Sequence, residues 1–514
     1  MKWIGFFCFC LFSTINIYLC YPEILLMKSL YLLLVTLFVV TFSNAQIVDI
    51  PDANFKYALV NENVVDNDQN GSGDSVADTN GDGEIQLSEA NAVLGLILYG
   101  MNISSLEGIQ SFTNIGLLRC GNNQLTSIDV TQNLSLEQLS VGNNELSNLD
   151  VTQNSNLILL VFDNNQLTDI DISQNLELTV FSCYGNEISN LDVSNNANLV
   201  ALDCRYNNLT ELDVTQNSLL ERLSCTSNQL TVLNLDENPE LLRLECSNNL
   251  ITDLDVSEKE HLWWLYCFNN QLNEIDVTQN INLEILACGN DLISSLDISQ
   301  NINLRTLSCS NSQLNGLDVS QNINLERLVI VNNQIGIIDL TQNINIEYFG
   351  CSDNLLTSLD LSENTNLEII RCNNNQLMSL DLRNDNNNNM LVMWAYDNPN
   401  LTCIQVDDVL YANNQDCEND DWCKDDWAAY SEDCELGTED TAQINFTIYP
   451  NPTQNILNIE SQQPIERVKI YNLQGQLIKE VSPINVDISQ FNAGLYFVQV
   501  TIEGKTVTKK FIKN

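Results

Sequence analysis

The chain has 514 residues, enough for several domains or one long array, and sets 68 acidic against 20 basic side chains for a formal charge of −48. That charge excludes duplex nucleic acid as a partner, and a hydrophobic content of 44% excludes a wholly disordered acidic chain. A folded acidic body of this kind suits life outside the cell, among divalent cations.

Two apolar runs open the chain. The second, MKSLYLLLVTLFVVTFSNAQ from Met27, joins a lysine to an apolar stretch and to Ser-Asn-Ala before Gln46. Residues 1–45 therefore read as a secretory signal peptide cut after Ala45, leaving no permanent transmembrane span in the mature chain. The first run, MKWIGFFCFCLF, is awkward as a leader, so translation is expected to start at Met27; an N-terminal membrane anchor is the competing reading.

Residues 46–92 read as an N-terminal cap with a calcium loop. DTNGDGEIQLSE matches the EF-hand pattern at each diagnostic place. Asp78, Asn80 and Asp82 supply side-chain oxygens, Gly83 the sharp turn, Glu84 its carbonyl, Gln86 the ninth position and Glu89 the bidentate carboxylate. Calcium is the cofactor this implies, in a structural cap rather than a sensor. The alternative is an acidic turn that matches by chance. Upstream, DNDQNGSGDSVA begins with Asp66, Asp68, Asn70 and Gly71 but has Ala77 at the twelfth place, and is not assigned a site.

Residues 93–402 repeat. Cys183, Cys204, Cys225, Cys246, Cys267, Cys288 and Cys309 stand 21 residues apart, and the same step reaches Cys120, Cys351 and Cys372. Val141, Phe162 and Ile330 fill the slot elsewhere, so thirteen units follow without insertion, which means a solenoid. In LVALDCRYNNLTELDVTQN (199–217), period-2 alternation puts Leu202 and Cys204 on one face of a short strand. The asparagine three places after the cysteine, as in Asn207, can bond the turn backbones of adjacent coils; Asp291 and Ser312 interrupt that ladder. The return segment LTxLDVTQN is too short for a real helix. The unit reads LxxLxCxxNxL and resembles the leucine-rich repeat with cysteine at one leucine slot, nearest to the short bacterial repeats of internalin-like proteins. The expected fold is thus mainly β: a leucine-rich-repeat solenoid of about thirteen 21-residue coils with a parallel concave sheet.

The cysteine column reads as small buried hydrophobes, against a metal-binding thiolate ladder. A second column, Asp129, Asp150, Asp171, Asp192, Asp213, Asp255 and Asp276, broken by Asn234, reads as turn caps that accept backbone N–H groups two or three residues on; cation binding is the alternative.

The positions three before, one before and one after each cysteine pave the concave face. Six of the 11 basic residues outside leader and tail occupy them: Arg119, Arg205, Arg222, Arg243, Arg327 and Arg371. Near the middle, Trp264, Tyr266 and Phe268 share one strand, flanked by Tyr184, Arg222, Arg243 and Glu245. Aromatic residues with arginine are what interface anchors are made of. Surface pairing of Arg205 and Arg243 with Asp203 and Glu245, and the plain strand preference of aromatics, are the bland readings.

Residues 403–434 read as a disulfide-containing C-terminal cap. Four cysteines allow three pairings; Cys403–Cys434 closing the cap and Cys417–Cys423 as an inner loop are favoured over zinc, which lacks its usual spacing. ELGTEDTAQ, residues 435–443, is a linker. Residues 444–514 carry YPNPT, VKIYNLQGQ, GLYFVQV and a basic KKFIK end. These pieces resemble the type A C-terminal sorting domain of the type IX secretion system of Bacteroidetes, a small β-sandwich. That resemblance implies a secreted or outer-surface location and the type IX machinery as a partner. A small Ig-like module that stays in place is the alternative.

Catalysis has little support: His261, the sole histidine, lies off the paved face, and no phosphate loop or zinc motif is present. The chain is expected to be a non-enzymatic, calcium-stabilised recognition or adhesion protein with a protein ligand on its concave face. A carbohydrate-binding surface protein is the alternative, and a hydrolase the remote one.

Overall fold

The computed structural model describes residues 46–514 apart from 69, 291, 416, 418–420, 435–445, 462, 482–484 and 503–504. The expected signal peptide, the linker and Asp291 lie outside the described residues. The chain divides into two compact units, one ending at Leu157 and one running from Ile158 to Asn514.

The first unit opens on a helix, Ala53–Asn61, because Asp52 caps it: its Oδ1 accepts from the backbone N–H groups of Asn54 and Phe55, both at 2.9 Å. The other carboxylate oxygen accepts from Ser104 N (2.9 Å), Ser104 Oγ (2.6 Å) and Ser105 N (3.0 Å), which ties the helix to the chain after the first strand. Phe55, Ala58 and Leu59 are buried, with the Phe55 ring 6.4 Å from that of Phe112. Three parallel strands follow, Gly95–Ile97, Leu117–Arg119 and Gln138–Ser140, with Leu96, Leu118 and Leu139 in register.

In the second unit, strands of the same kind run from Leu159–Val161 through Val392–Trp394 to Trp422–Cys423 in one parallel sheet. As far as Ile369–Arg371, adjacent strands pair residue i with i+21, so Leu202, Leu223, Leu244 and Leu265 form one column. The solenoid has about fifteen turns. Gly95–Ile97 precedes the thirteen coils aligned on cysteine, and Val392–Trp394 and Trp422–Cys423 follow them. The Val392–Trp394 coil is legible in the sequence as one stretched by two residues in NDNNNN, with Ala395 and Asn398 resuming the pattern, whereas the changed step hides Gly95–Ile97 and Trp422–Cys423 from a strict 21-residue alignment. All ten column cysteines are buried and unbridged, on the same side as Leu202 and Leu223.

Two asparagine ladders close the coils. Asn207 Nδ2 donates to the carbonyl of Cys183 at 2.9 Å, and its Oδ1 accepts from Ile188 N at 3.0 Å. The second ladder uses the asparagine that ends each return segment. Asn217 is fully buried and donates to Val193 O at 3.0 Å and Asn196 O at 2.8 Å. Where serine replaces the first-ladder amide, the buried Ser312 hydroxyl has no hydrogen-bond partner among the described residues. A third column explains the asparagines two places after the cysteine. Asn122, Asn143, Asn248 and Asn332 have φ between 54° and 55°, the left-handed region that asparagine tolerates.

The return segments are hydrogen-bonded turns, as in Asn217 N to Val214 O, until the last coils. There Ser358–Asp360, Ser379–Asp381, Cys403–Gln405 and Ala429–Ser431 form a second parallel sheet. Disulfides join Cys403 with Cys434 and Cys417 with Cys423. The C-terminal residues form two antiparallel sheets of three and four strands around Phe446, Leu457, Val468, Val498 and Phe511. Among the described residues no helix is long and apolar enough to cross a membrane.

Candidate functional site

The strand Trp264–Tyr266 shows how the repeat divides its side chains. Leu262, Leu265 and Cys267 are 0% exposed, while Trp264, Tyr266 and Phe268 stay partly exposed on the other face. Their rings form a continuous row, Trp264 to Tyr266 at 5.1 Å and Tyr266 to Phe268 at 6.2 Å between centroids. Trp263 extends the row, edge-on to Trp264 at 5.4 Å. The Trp264 indole Nε1 is shielded and meets no acceptor among the described residues.

The arginines around this row differ in how far the protein already satisfies them. Arg243 Cζ lies 4.1 Å from the Trp264 ring centre, and its Nε donates to Glu245 Oε1 at 2.9 Å. Glu245, with a side chain only 6% exposed, also accepts from Ser224 Oγ at 3.1 Å and pairs with Arg205 at 3.4 Å. Arg205 makes its main pair with Asp203 at 2.6 Å, and its Cζ lies 5.3 Å from the Tyr184 ring. The hydrogen bonds to Asp203 hold the Arg205 guanidinium above its ordinary pKa. The burial of Glu245 sets it apart from an exposed pair such as Arg305–Glu326, of the kind worth about 0–1 kcal/mol. Arg222, in the next strand to Arg243, stays exposed, and Arg119 belongs to the first unit.

Tyr184 meets Tyr206 edge-on at 5.3 Å. Tyr206 has φ 53°, a left-handed conformation that a bulky residue adopts at a cost. Asp163 lies below Tyr184: it accepts from Ser182 Oγ and from Tyr184 N at 3.1 Å, and burial raises its pKa. Sequence reasoning missed Asp163; its signal is the position one after the Phe162 slot.

In the Asp78–Glu89 segment the chain turns at Gly81 and Gly83, φ 73° and 84°. Asp78 Oδ1 accepts from Gly81 N at 2.7 Å and Oδ2 from Gly83 N at 2.8 Å. Glu89 Oε1 reaches back to Thr79 N at 2.8 Å, and Oε2 accepts from Gln86 N at 3.0 Å. Asn80 Nδ2 donates to Gln86 Oε1 at 2.6 Å and Gln86 Nε2 to Asp82 Oδ2 at 2.9 Å, so side chains of the pattern bridge one another across the loop. Glu84 turns its carboxylate to Lys56 at 2.6 Å, which leaves the carbonyl as its donor toward a cation. The donors are all oxygen and fit a hard divalent cation. Among the described residues the carboxylates that converge belong instead to the upstream loop, Asp66, Asp68 and Asp74.

The aspartate column forms turn caps. Asp213 Oδ1 accepts from Thr215 N at 2.9 Å and Thr215 Oγ1 at 2.7 Å, and Asn234 does the same without charge, accepting from Asp236 N at 2.9 Å. His261 is exposed, and Ser-His-Asp geometry is not among the contacts of the described residues.

Residues 447–514 match the family model of the secretion system C-terminal sorting domain. Among solved structures, the chain is similar to the functional domain of InlJ from Listeria monocytogenes, which includes a cysteine ladder. That likeness has 25% identity, a TM-score of 0.64, and covers 91% of this chain and 98% of the other. A leucine-rich-repeat protein of Leptospira interrogans is also similar, with 25% identity and a TM-score of 0.53, over 57% of this chain and 80% of that one. A plant peptide hormone receptor, RGFR1 in complex with RGF2, shares the fold at 22% identity and a TM-score of 0.54, over 62% of this chain and 56% of that one. Among curated proteins none matches the chain. The chain is a leucine-rich-repeat solenoid with a C-terminal sorting domain that marks it for type IX export to the cell surface or into the medium.

Proposed function

We propose that the exported solenoid is a recognition protein that binds a protein partner through its sheet face, centred on Trp264, Tyr266 and Phe268. The observation that carries this is Arg243 stacked on Trp264 while buried Glu245 holds its guanidinium in place. An arginine fixed before binding loses little side-chain entropy on contact, and aromatic–arginine clusters of this kind dominate interface energetics. The strained Tyr206 beside Tyr184 belongs to the same surface. Trp264→Ala combined with Arg243→Ala is expected to abolish capture of the partner while the unfolding midpoint stays within a few degrees; full binding by that variant would refute the site. A carbohydrate ligand is the second reading, favoured by the open aromatic row, and inhibition by free glycan separates the two.

We further propose that the Asp78–Glu89 loop binds calcium and stiffens the N-terminal cap. Supporting this are two mostly buried carboxylates, Asp78 and Glu89, in a loop whose glycines adopt left-handed backbone. Binding is the proposed activity, supported by the arginine–aromatic cluster on the sheet face.

A further inference from the structure

A second arginine–aromatic group stands on the sheet face, away from the Trp264 row, and its charges form no ion pair among the described residues. Strands Arg327–Val329, Tyr348–Gly350, Ile369–Arg371 and Val392–Trp394 are consecutive neighbours. Their register sets Arg327 beside Tyr348, and Arg371 beside both Gly350 and Trp394. Arg327 Cζ lies 3.8 Å from the Tyr348 ring centre. Arg371 Cζ lies 4.4 Å from that of Trp394 and 5.7 Å from that of Tyr348, and its Nη1 donates to the Tyr348 hydroxyl at 3.2 Å. Gly350 makes room for this: a Cβ there would come within 3.2 Å of Tyr348 Cε1 and 3.5 Å of Val329 Cγ1.

The contrast with the Trp264 row is in the counter-charge. Arg205 and Arg243 are held by Asp203 and Glu245, whereas among the described residues neither Arg327 nor Arg371 has a carboxylate within ion-pair distance. Arg371 Nε is shielded and meets no acceptor among the described residues. From the Cys288 coil to the Ala395 coil, the paved positions hold two arginines and no acidic residue, in a chain that has 68. Glu347 and Glu368 stand one residue before the paved row and are exposed, and Glu326 is paired with Arg305.

A guanidinium stacked on a ring keeps its in-plane N–H donors available for a forked pair of hydrogen bonds. Because guanidinium groups already cover Tyr348 and Trp394, the group offers N–H edges to an oxyanion rather than an open ring face to a sugar. We infer that Arg327, Tyr348, Arg371 and Trp394 form a carboxylate-binding subsite that receives an acidic side chain of a protein partner.

The test is titration of the exported full chain with a glutamate-rich peptide and with a glutamine peptide of equal length. Saturable binding of the first alone is expected. Arg327→Gln with Arg371→Gln should cut that affinity by about tenfold or more. Gly350→Val, which pushes Tyr348 aside, should weaken it too, and Arg305→Gln should leave it unchanged. Unfolding midpoints of the variants verify that each is folded. Equal binding of the two peptides, no measurable binding of either, or full affinity in the double variant would overturn the inference. So would binding of polygalacturonate through these arginines without binding of the peptide, which would make the ligand a glycan. The peptide is scored on Arg327 and Arg371 alone, so its failure and the failure of the Trp264 site are separate results.

Discussion

Glu245 Oε1 accepts from Arg243 Nε at 2.9 Å, from within a side chain that is only 6% exposed. Replacing Glu245 by glutamine keeps the volume and removes the charge that fixes two arginines. The expected cost is about 1–3 kcal/mol of unfolding free energy, together with weaker partner binding. Glu326→Gln, which breaks the exposed pair with Arg305, should cost about 0–1 kcal/mol. Urea denaturation of both variants decides this, and equal shifts would remove the special role given to Glu245.

The buried Asn217 serves two carbonyls at 2.8 and 3.0 Å. Asn217→Leu removes one donor from each, leaving them only the backbone N–H groups of Asn196 and Leu199, and should destabilise the chain by about 1–3 kcal/mol. In a solenoid each coil touches only its neighbours, so hydrogen exchange should accelerate chiefly in the coils around 193–217. Uniform acceleration throughout the second unit would contradict a local ladder.

The column cysteines should be chemically silent. Burial raises the thiol pKa, to about 12 for Cys225, Cys309 and Cys372, and the thiolate is the reactive form. A thiol reagent at pH 8 should label none of the ten in the native chain and all ten in denaturant. Labelling of any of them within minutes under native conditions would require an accessible thiolate.

Acid should weaken the turns. Asp129, Asp171, Asp192, Asp213, Asp255 and Asp276 are held below the usual carboxylate range by hydrogen bonds from the side chain and backbone N–H of the residue two places on. Their folded pKa values lie below the unfolded value of about 3.9, so the unfolded chain binds more protons in that window. Their contribution is present above that pH and lost as pH falls through the folded values. Asparagine performs the same cap uncharged at Asn234, so a chain with Asp192, Asp213 and Asp276 changed to asparagine should lose less stability between pH 5 and pH 3. Identical pH profiles for the two chains would rule out the column as the cause.

Calcium should raise the thermal stability of the cap. Chelation by EDTA is expected to lower its melting temperature by a few degrees. Glu89→Gln should erase that difference, and a chelator effect that survives in Glu89→Gln would move the site elsewhere, to the convergent Asp66, Asp68 and Asp74 first.

The sequence by itself determined the coil: its period, the inward Leu202 and Cys204, and the outward Trp264, Tyr266 and Phe268. Those follow from spacing and period-2 alternation, which act within one short strand and need no knowledge of distant residues. The asparagine that ends each return segment was equally visible as a recurrence, but nothing local reveals that its amide points inward to a neighbouring coil. Which arginines are already neutralised was decided only in three dimensions. Arg205 meets Glu245 across 40 residues because their coils stack with only one coil between them, while Arg327 and Arg371, of the same type at paved positions, meet tyrosine and tryptophan instead. Stacking turns residues one or two periods apart into neighbours, and the side-chain geometry there chooses between an ion pair and an open guanidinium.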